Sequence, residues 1–65
     1  MQVVINGETG SFEGIATVAD LLRTLRLQGR IAVEINRRIV PRSQFDSHPV
    51  CDGDVIELVH AIGGG

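Results

Sequence analysis

Val18, Leu21, Leu22 and Leu25 recur at i, i+3, i+4 and i+7 and draw one apolar stripe along a predicted helix. Thr17 precedes the stripe as an N-cap, with Asp20 three residues on, where an acid suits the exposed N–H groups and the positive end of the dipole. Arg23 and Arg26 fall on other faces and near the C-terminal end, and Gly29 is the predicted stop. A helix of some two to three turns does not hold alone in water, so this one needs a sheet to lie on. Nothing else in the chain can staple it. Cys51 is a single cysteine without an internal partner, and with His48 and His60 it lacks zinc-finger spacing, so no metal site is expected. A chain of 65 residues, 43% of them hydrophobic and 3% aromatic, must therefore rely on a Val/Ile/Leu core.

The strands that would receive the helix are legible as β-branched runs. Met1-Gln2-Val3-Val4-Ile5 breaks at Asn6-Gly7, a pair that tolerates the two positive φ values of a type I′ hairpin turn. A short partner strand is predicted over Gly10–Glu13, with Phe12 as its large apolar side chain and Gly14 ending it. Ile31-Ala32-Val33-Glu34-Ile35 alternates with period two. Asn36-Arg37 turns the chain into Arg38-Ile39-Val40, and Pro41 must end that strand or lie on an edge. Residues 42–50 read as irregular, with one helical turn near Ser43–Phe45. Asp52-Gly53-Asp54 is a tight turn into a last strand over Val55–His60, with Ile56 and Leu58 towards the core and Glu57 and Val59 away from it. Hairpin, helix, strand, short strand, strand describes an α+β roll: a mixed sheet of four to five strands packed on one short helix. This is the β-grasp (ubiquitin-like) arrangement, in which the last strand lies parallel to the first in the middle of the sheet. Residues 1–62 are expected to form the domain and residues 63–65 a flexible glycine tail.

Charge excludes several classes. The net charge is −2, all six basic residues are arginines between Arg23 and Arg42, and there is no lysine. A nucleic-acid binder would want a strongly basic domain with aromatic platforms. A protein that built chains of itself through isopeptide bonds would need lysine amines. With no basic-then-apolar leader and no run of 18 apolar residues, neither secretion nor membrane insertion is expected, and a free thiol fits a reducing cytoplasm.

The closing Ile62-Gly63-Gly64-Gly65 carries the chemistry. Without a Cβ, glycine can pass through a channel too narrow for other residues, and the Gly65 carbonyl is an unhindered acyl centre. A carboxylate resists nucleophiles until its oxygen becomes a leaving group, so a partner must activate it, as an acyl-adenylate. The competing expectation is a frayed, inert end.

Ala32 to Arg42, with its Asn36-Arg37-Arg38-Ile39-Val40-Pro41-Arg42 hairpin, resembles the corresponding segment of the ThiS-type sulfur carrier proteins of thiamin biosynthesis. So do Asp52 to His60, the closing Gly63-Gly64-Gly65, Ile5-Asn6-Gly7 and the helix start Thr17-Val18-Ala19-Asp20-Leu21-Leu22, and the likeness covers essentially the whole chain. The resemblance implies a non-catalytic carrier without a bound cofactor. A ThiF-type adenylating enzyme uses ATP to activate the terminal carboxylate, and sulfur from cysteine, through a desulfurase, converts it to a thiocarboxylate. A ThiG-type thiazole synthase then takes that sulfur into the thiazole ring. On this chain Gly65 matches the modified residue, Gly64 its flexible neighbour and Gly63 the third glycine of some members.

Val59 and Ile62, read as lying on the side away from the helix, form a candidate docking patch beside the tail, and Arg37, Arg38 and Arg42 are candidates for pairing with acidic groups of a partner. Each also has a plain reading as scattered or solvated surface. Cys51 reads as a small buried hydrophobe rather than a sulfur relay, and His60 as a strand or rim residue rather than a base. Three other functions fit the same features: the small subunit of molybdopterin synthase, a ubiquitin-like modifier linked to protein lysines, and a β-grasp domain with an inert tail.

Overall fold

The computed structural model describes residues Met1–His60. The expected tail, 63–65, and Ile62 lie outside the described residues. Two strands, β1 (Gln2–Ile5) and β2 (Glu8–Ser11), are followed by one helix, α1 (Val18–Thr24), then β3 (Ile31–Ile35), β4 (Arg38–Val40), a 3-10 turn over Arg42–Gln44, and β5 (Val55–His60). They form one mixed five-stranded sheet in the order β2-β1-β5-β3-β4. β5 lies in its centre, parallel to β1 and antiparallel to β3.

Both hairpins turn on left-handed residues. Asn6 and Gly7 have φ of 49° and 83°, the positive pair that a two-residue type I′ connection requires, so Ile5 pairs at once with Glu8. That immediate pairing starts β2 at Glu8, earlier than the Gly10–Glu13 expectation, and leaves Phe12 just past the strand, where its N–H donates to the Met1 carbonyl at 2.9 Å and its ring packs on the core. Asn36 and Arg37 repeat the geometry at φ 51° and 70° and join β3 to β4.

α1 begins with a capping box. The Thr17 hydroxyl accepts from the Asp20 N–H at 3.3 Å, while the Asp20 carboxylate accepts from the backbone N–H groups of Ala16 and Thr17 at 2.9 and 3.0 Å. The helix ends earlier than a stop at Gly29 would give. Arg26 takes the left-handed position at φ 58°, its N–H donating to the Arg23 carbonyl and the Leu27 N–H to the Leu22 carbonyl, at 3.1 and 3.0 Å. These two bonds are a Schellman closure in which an arginine stands where glycine is usual.

The buried face is assembled in cross-strand rows. Val40, Val33 and Leu58 lie in register across β4, β3 and β5, and Ile35, Ile56 and Ile5 across β3, β5 and β1. Against them pack Val18, Leu21 and Leu22 of α1, with Val3, Ile15 and Val50 completing the core. No polar or charged side chain is buried among the described residues. The segment before β5 is tied to the start of the helix: Val18 N–H donates to the His48 carbonyl, Ala19 N–H to Phe45 and Val50 N–H to Ala16, at 2.9–3.0 Å. Val50, not Cys51, fills the core here; the Cys51 thiol is free and exposed, contrary to its reading as a buried hydrophobe, because the alternation into the turn places Val50 inward.

Candidate functional site

The candidate site is the end of β5, the last described strand and the one that leads to the glycines. Its position follows from its sequence: Ile56 and Leu58 are buried, so the strand is anchored to the core through alternate side chains. It is also held along both edges. On one side β3 pairs with it from Ile35–Ile56 to Ile31–His60, up to the final described residue. On the other, β1 supplies Val4 N–H to the Asp54 carbonyl and Asn6 N–H to the Ile56 carbonyl, both at 2.9 Å.

Backbone pairing with β1 stops there, and the Asn6 side chain continues it. Leu58 N–H donates to Asn6 Oδ1 at 2.8 Å and Asn6 Nδ2 donates to the Leu58 carbonyl at 3.1 Å. Asn36 does the same at the other end. Val55 N–H donates to Asn36 Oδ1 at 2.9 Å, Asn36 N–H to the Val55 carbonyl at 2.8 Å, and Asn36 Nδ2 to Asp54 Oδ1 at 3.0 Å. The turn before β5 is pinned to β1 as well, through Gln2 N–H to Asp52 Oδ1 and Gly53 N–H to the Gln2 carbonyl, both 2.7 Å.

Around the end of β5 lies an open, largely apolar groove of about 310 Å³, whose lining includes Ile5, Asn6, Leu25, Leu58, Val59 and His60. On the sheet face away from α1, Val59 is 60% exposed and stands beside Ala32, while Val55 and Ile39 are 50% and 71% exposed. The sequence pattern singled out Val59 but not Ile39 or Val55, whose membership of one face needs the register of three strands.

The arginines divide. Arg37 and Arg38 are exposed at the β3–β4 turn, at the end of the sheet where β5 begins; Arg37 lines a shallow cleft there with Glu34, Asn36, Val55 and Glu57. β4 runs in the same direction as β5 and carries the chain on to exposed Arg42, at the end where β5 finishes. Val59 and Arg37 thus stand at opposite ends of β5. His60 is exposed and pairs with Ile31. Among the described residues no group of three or more His, Cys, Asp or Glu stands together to hold a metal ion, and no helix is long and apolar enough to cross a membrane.

Among the described residues, one helix laid on a five-stranded sheet whose central strand β5 runs parallel to β1 defines a β-grasp domain, and β5, held on both edges, leads towards the glycines. Comparison with known proteins gives the family. The ThiS family model matches residues 3–65. The chain is similar to the sulfur carrier protein ThiS of Escherichia coli, 41% identical over 66 residues and covering all of both chains. It is also similar to a thiazole synthase of Paramagnetospirillum magneticum, 47% identical over 66 residues, where the whole chain spans 20% of that protein's length. The crystal structure of the thiamine biosynthesis protein ThiS from Geobacter metallireducens superposes with a TM-score of 0.86 at 32% identity, covering the whole of both chains. The chain belongs to the ThiS family.

Proposed function

We propose that this chain is a sulfur carrier of thiamin biosynthesis, a carrier rather than an enzyme, whose Gly65 is adenylated and then converted to a thiocarboxylate. The observation that carries the reading is β5: the central strand of the sheet, held on both edges, leads directly into the segment that ends in Gly63-Gly64-Gly65. A rigid handle with an unhindered acyl end is what a carrier requires, since each enzyme can grip the body and draw the same end to its own reacting centre.

A ThiF-type enzyme attaches AMP to the Gly65 carboxylate, with pyrophosphate leaving ATP. The acyl carbon then accepts sulfur that originates from cysteine through a desulfurase, and AMP departs. A ThiG-type thiazole synthase receives the sulfur. The similarity of this whole chain to a fifth of a protein named thiazole synthase supports that last pairing over a molybdopterin synthase large subunit. Ile62 and exposed Val59 form the grip beside the tail, with Arg42 at the same end; Arg37 and Arg38 meet acidic groups of a partner at the far end of the sheet. The reading sets this work in the cytoplasm, where an exposed thiol such as Cys51 stays reduced.

The test is mass spectrometry of the intact protein after incubation with ATP and a ThiF-type enzyme, then with a sulfur donor. Addition of an adenylate followed by replacement of one oxygen by sulfur at Gly65 is expected. A mass unchanged with several active ThiF-type enzymes overturns the reading, and an amide-linked conjugate on a target protein establishes a modifier instead.

A further inference from the structure

Asn6 has an obvious explanation that does not use its side chain. It occupies the first left-handed position of a type I′ turn, at φ 49°, where asparagine is favoured for its backbone tolerance alone. Glycine serves that position equally well. Yet the Asn6 amide reaches across to Leu58, 52 residues on, and takes both of its outward backbone groups, accepting from the N–H at 2.8 Å and donating to the carbonyl at 3.1 Å. The side chain therefore imitates one further residue of β1. It does so at the level where backbone pairing with β1 has run out.

We infer that Asn6 is a positioning residue for the reactive terminus: its amide clamps Leu58 and so fixes the direction in which the chain leaves the sheet. This rests on the carrier reading of Gly65. With the clamp in place, the strand is held on the β1 side through Leu58 and on the β3 side through its neighbours Glu57 and Val59. Without it, the Leu58 N–H and carbonyl, which both face β1, turn to water, and only the neighbouring Glu57 and Val59 still face β3 along this stretch. The strand end then swings about a single hydrogen-bonded edge. A partner's channel receives the acyl end in the productive direction less often, a loss of orientation rather than of grip.

Asn36 supplies an internal control. It too is a left-handed first turn residue whose amide clamps β5, but at Val55, the opposite end of the strand. Asn6→Gly and Asn36→Gly each keep a turn-compatible backbone and each remove one side-chain clamp. A merely structural role predicts that both behave alike.

The experiment measures both variants and the wild type in two ways, well below their melting temperatures. Amide hydrogen exchange of the isolated proteins is expected to rise about tenfold or more at Leu58–His60 in Asn6→Gly, and near Val55 in Asn36→Gly. Steady-state adenylation by a ThiF-type enzyme is expected to show kcat reduced about fivefold for Asn6→Gly with KM within twofold, and both constants within twofold of wild type for Asn36→Gly. Equal kcat for the two variants, a loss confined to KM, or unchanged exchange at Leu58–His60 in Asn6→Gly overturns the positioning role while leaving the carrier reading intact. A wild-type protein that is never adenylated overturns both.

Discussion

Glu34 and Glu57 stand directly opposite each other on adjacent central strands, on the face of the sheet turned away from the helix. Neither has a basic side chain within ion-pair distance among the described residues, where the one ion pair joins Arg23 and Asp20. Like charges in register oppose strand pairing, and a β-branched residue suits a half-exposed central strand better than glutamate. Glu57→Thr is accordingly expected to raise stability by about 0.5–1 kcal/mol, seen as a melting temperature about 2–8 °C higher. Because salt screens exposed charges, the gap between variant and wild type should narrow in 1 M NaCl, at roughly a 3 Å screening length. Equal melting temperatures at low salt would show that the two carboxylates do not feel each other.

Asp20 sets an acid limit on the fold. The backbone N–H groups of Ala16 and Thr17 hold its carboxyl below the ordinary carboxylate range, assisted by the Arg23 guanidinium. A carboxyl with a lowered folded pKa stabilises the fold above its unfolded pKa, at roughly pH 4, and that contribution fades as pH falls through the folded value. Asp20→Asn should be less stable than wild type at pH 7, and the two should converge as the pH is taken down towards 2. Thermal melts across that range check it, and a constant difference between the two proteins would refute the linkage.

How far the sequence already contained this architecture depends on where each element's signal lies. α1's N-terminus was legible because Thr17 and Asp20 form a local motif, and the core rows were legible because Ile31–Ile35 and Val55–His60 alternate cleanly. The helix C-terminus was not. Glycine is the usual marker of a left-handed stop, but Arg26 supplies it here, and Gly29 drew the boundary too far. Phe12, an apolar residue that lies beyond the strand, is a misleading marker for β2, whereas Asn6-Gly7 fixes the start of β2 by turn length alone. At the site, the exposure of Val59 followed from period two. The Asn6–Leu58 clamp carried no signal, because a side chain that bonds 52 residues away shares no local pattern with its partner.

Arg26 and Arg37 are both held at positive φ, 58° and 70°, a conformation that costs most side chains about 1 kcal/mol and glycine little. Arg26→Gly and Arg37→Gly are each expected to raise stability by about 1 kcal/mol, or roughly 4–8 °C in melting temperature. Only the second should alter function under the docking reading. Arg37→Gly removes a cation proposed to meet acidic partner groups, so its binding to a partner enzyme should weaken and lose part of its salt dependence, while Arg26→Gly binds as wild type does. Calorimetry at two ionic strengths separates them, and equal binding by both variants would remove Arg37 from the interface.

Val59 tests the grip as Asn6 tests the aim. Its side chain is 60% exposed on the outer face beside Ala32 and contributes nothing to the buried rows, so Val59→Gln should change stability by no more than about 0.5 kcal/mol. If the exposed valine is covered when a partner closes over the tail, its replacement removes apolar contact from bound ground state and transition state alike. The expected result is a KM for adenylation about tenfold higher, a loss of about 1.4 kcal/mol, with kcat kept. That is the opposite split from Asn6→Gly, although Leu58 and Val59 are neighbours in one strand. The two substitutions therefore separate holding the carrier from directing its end. A KM within twofold of wild type for Val59→Gln, in a protein that melts normally, would return Val59 to the class of exposed apolar residues that need no partner.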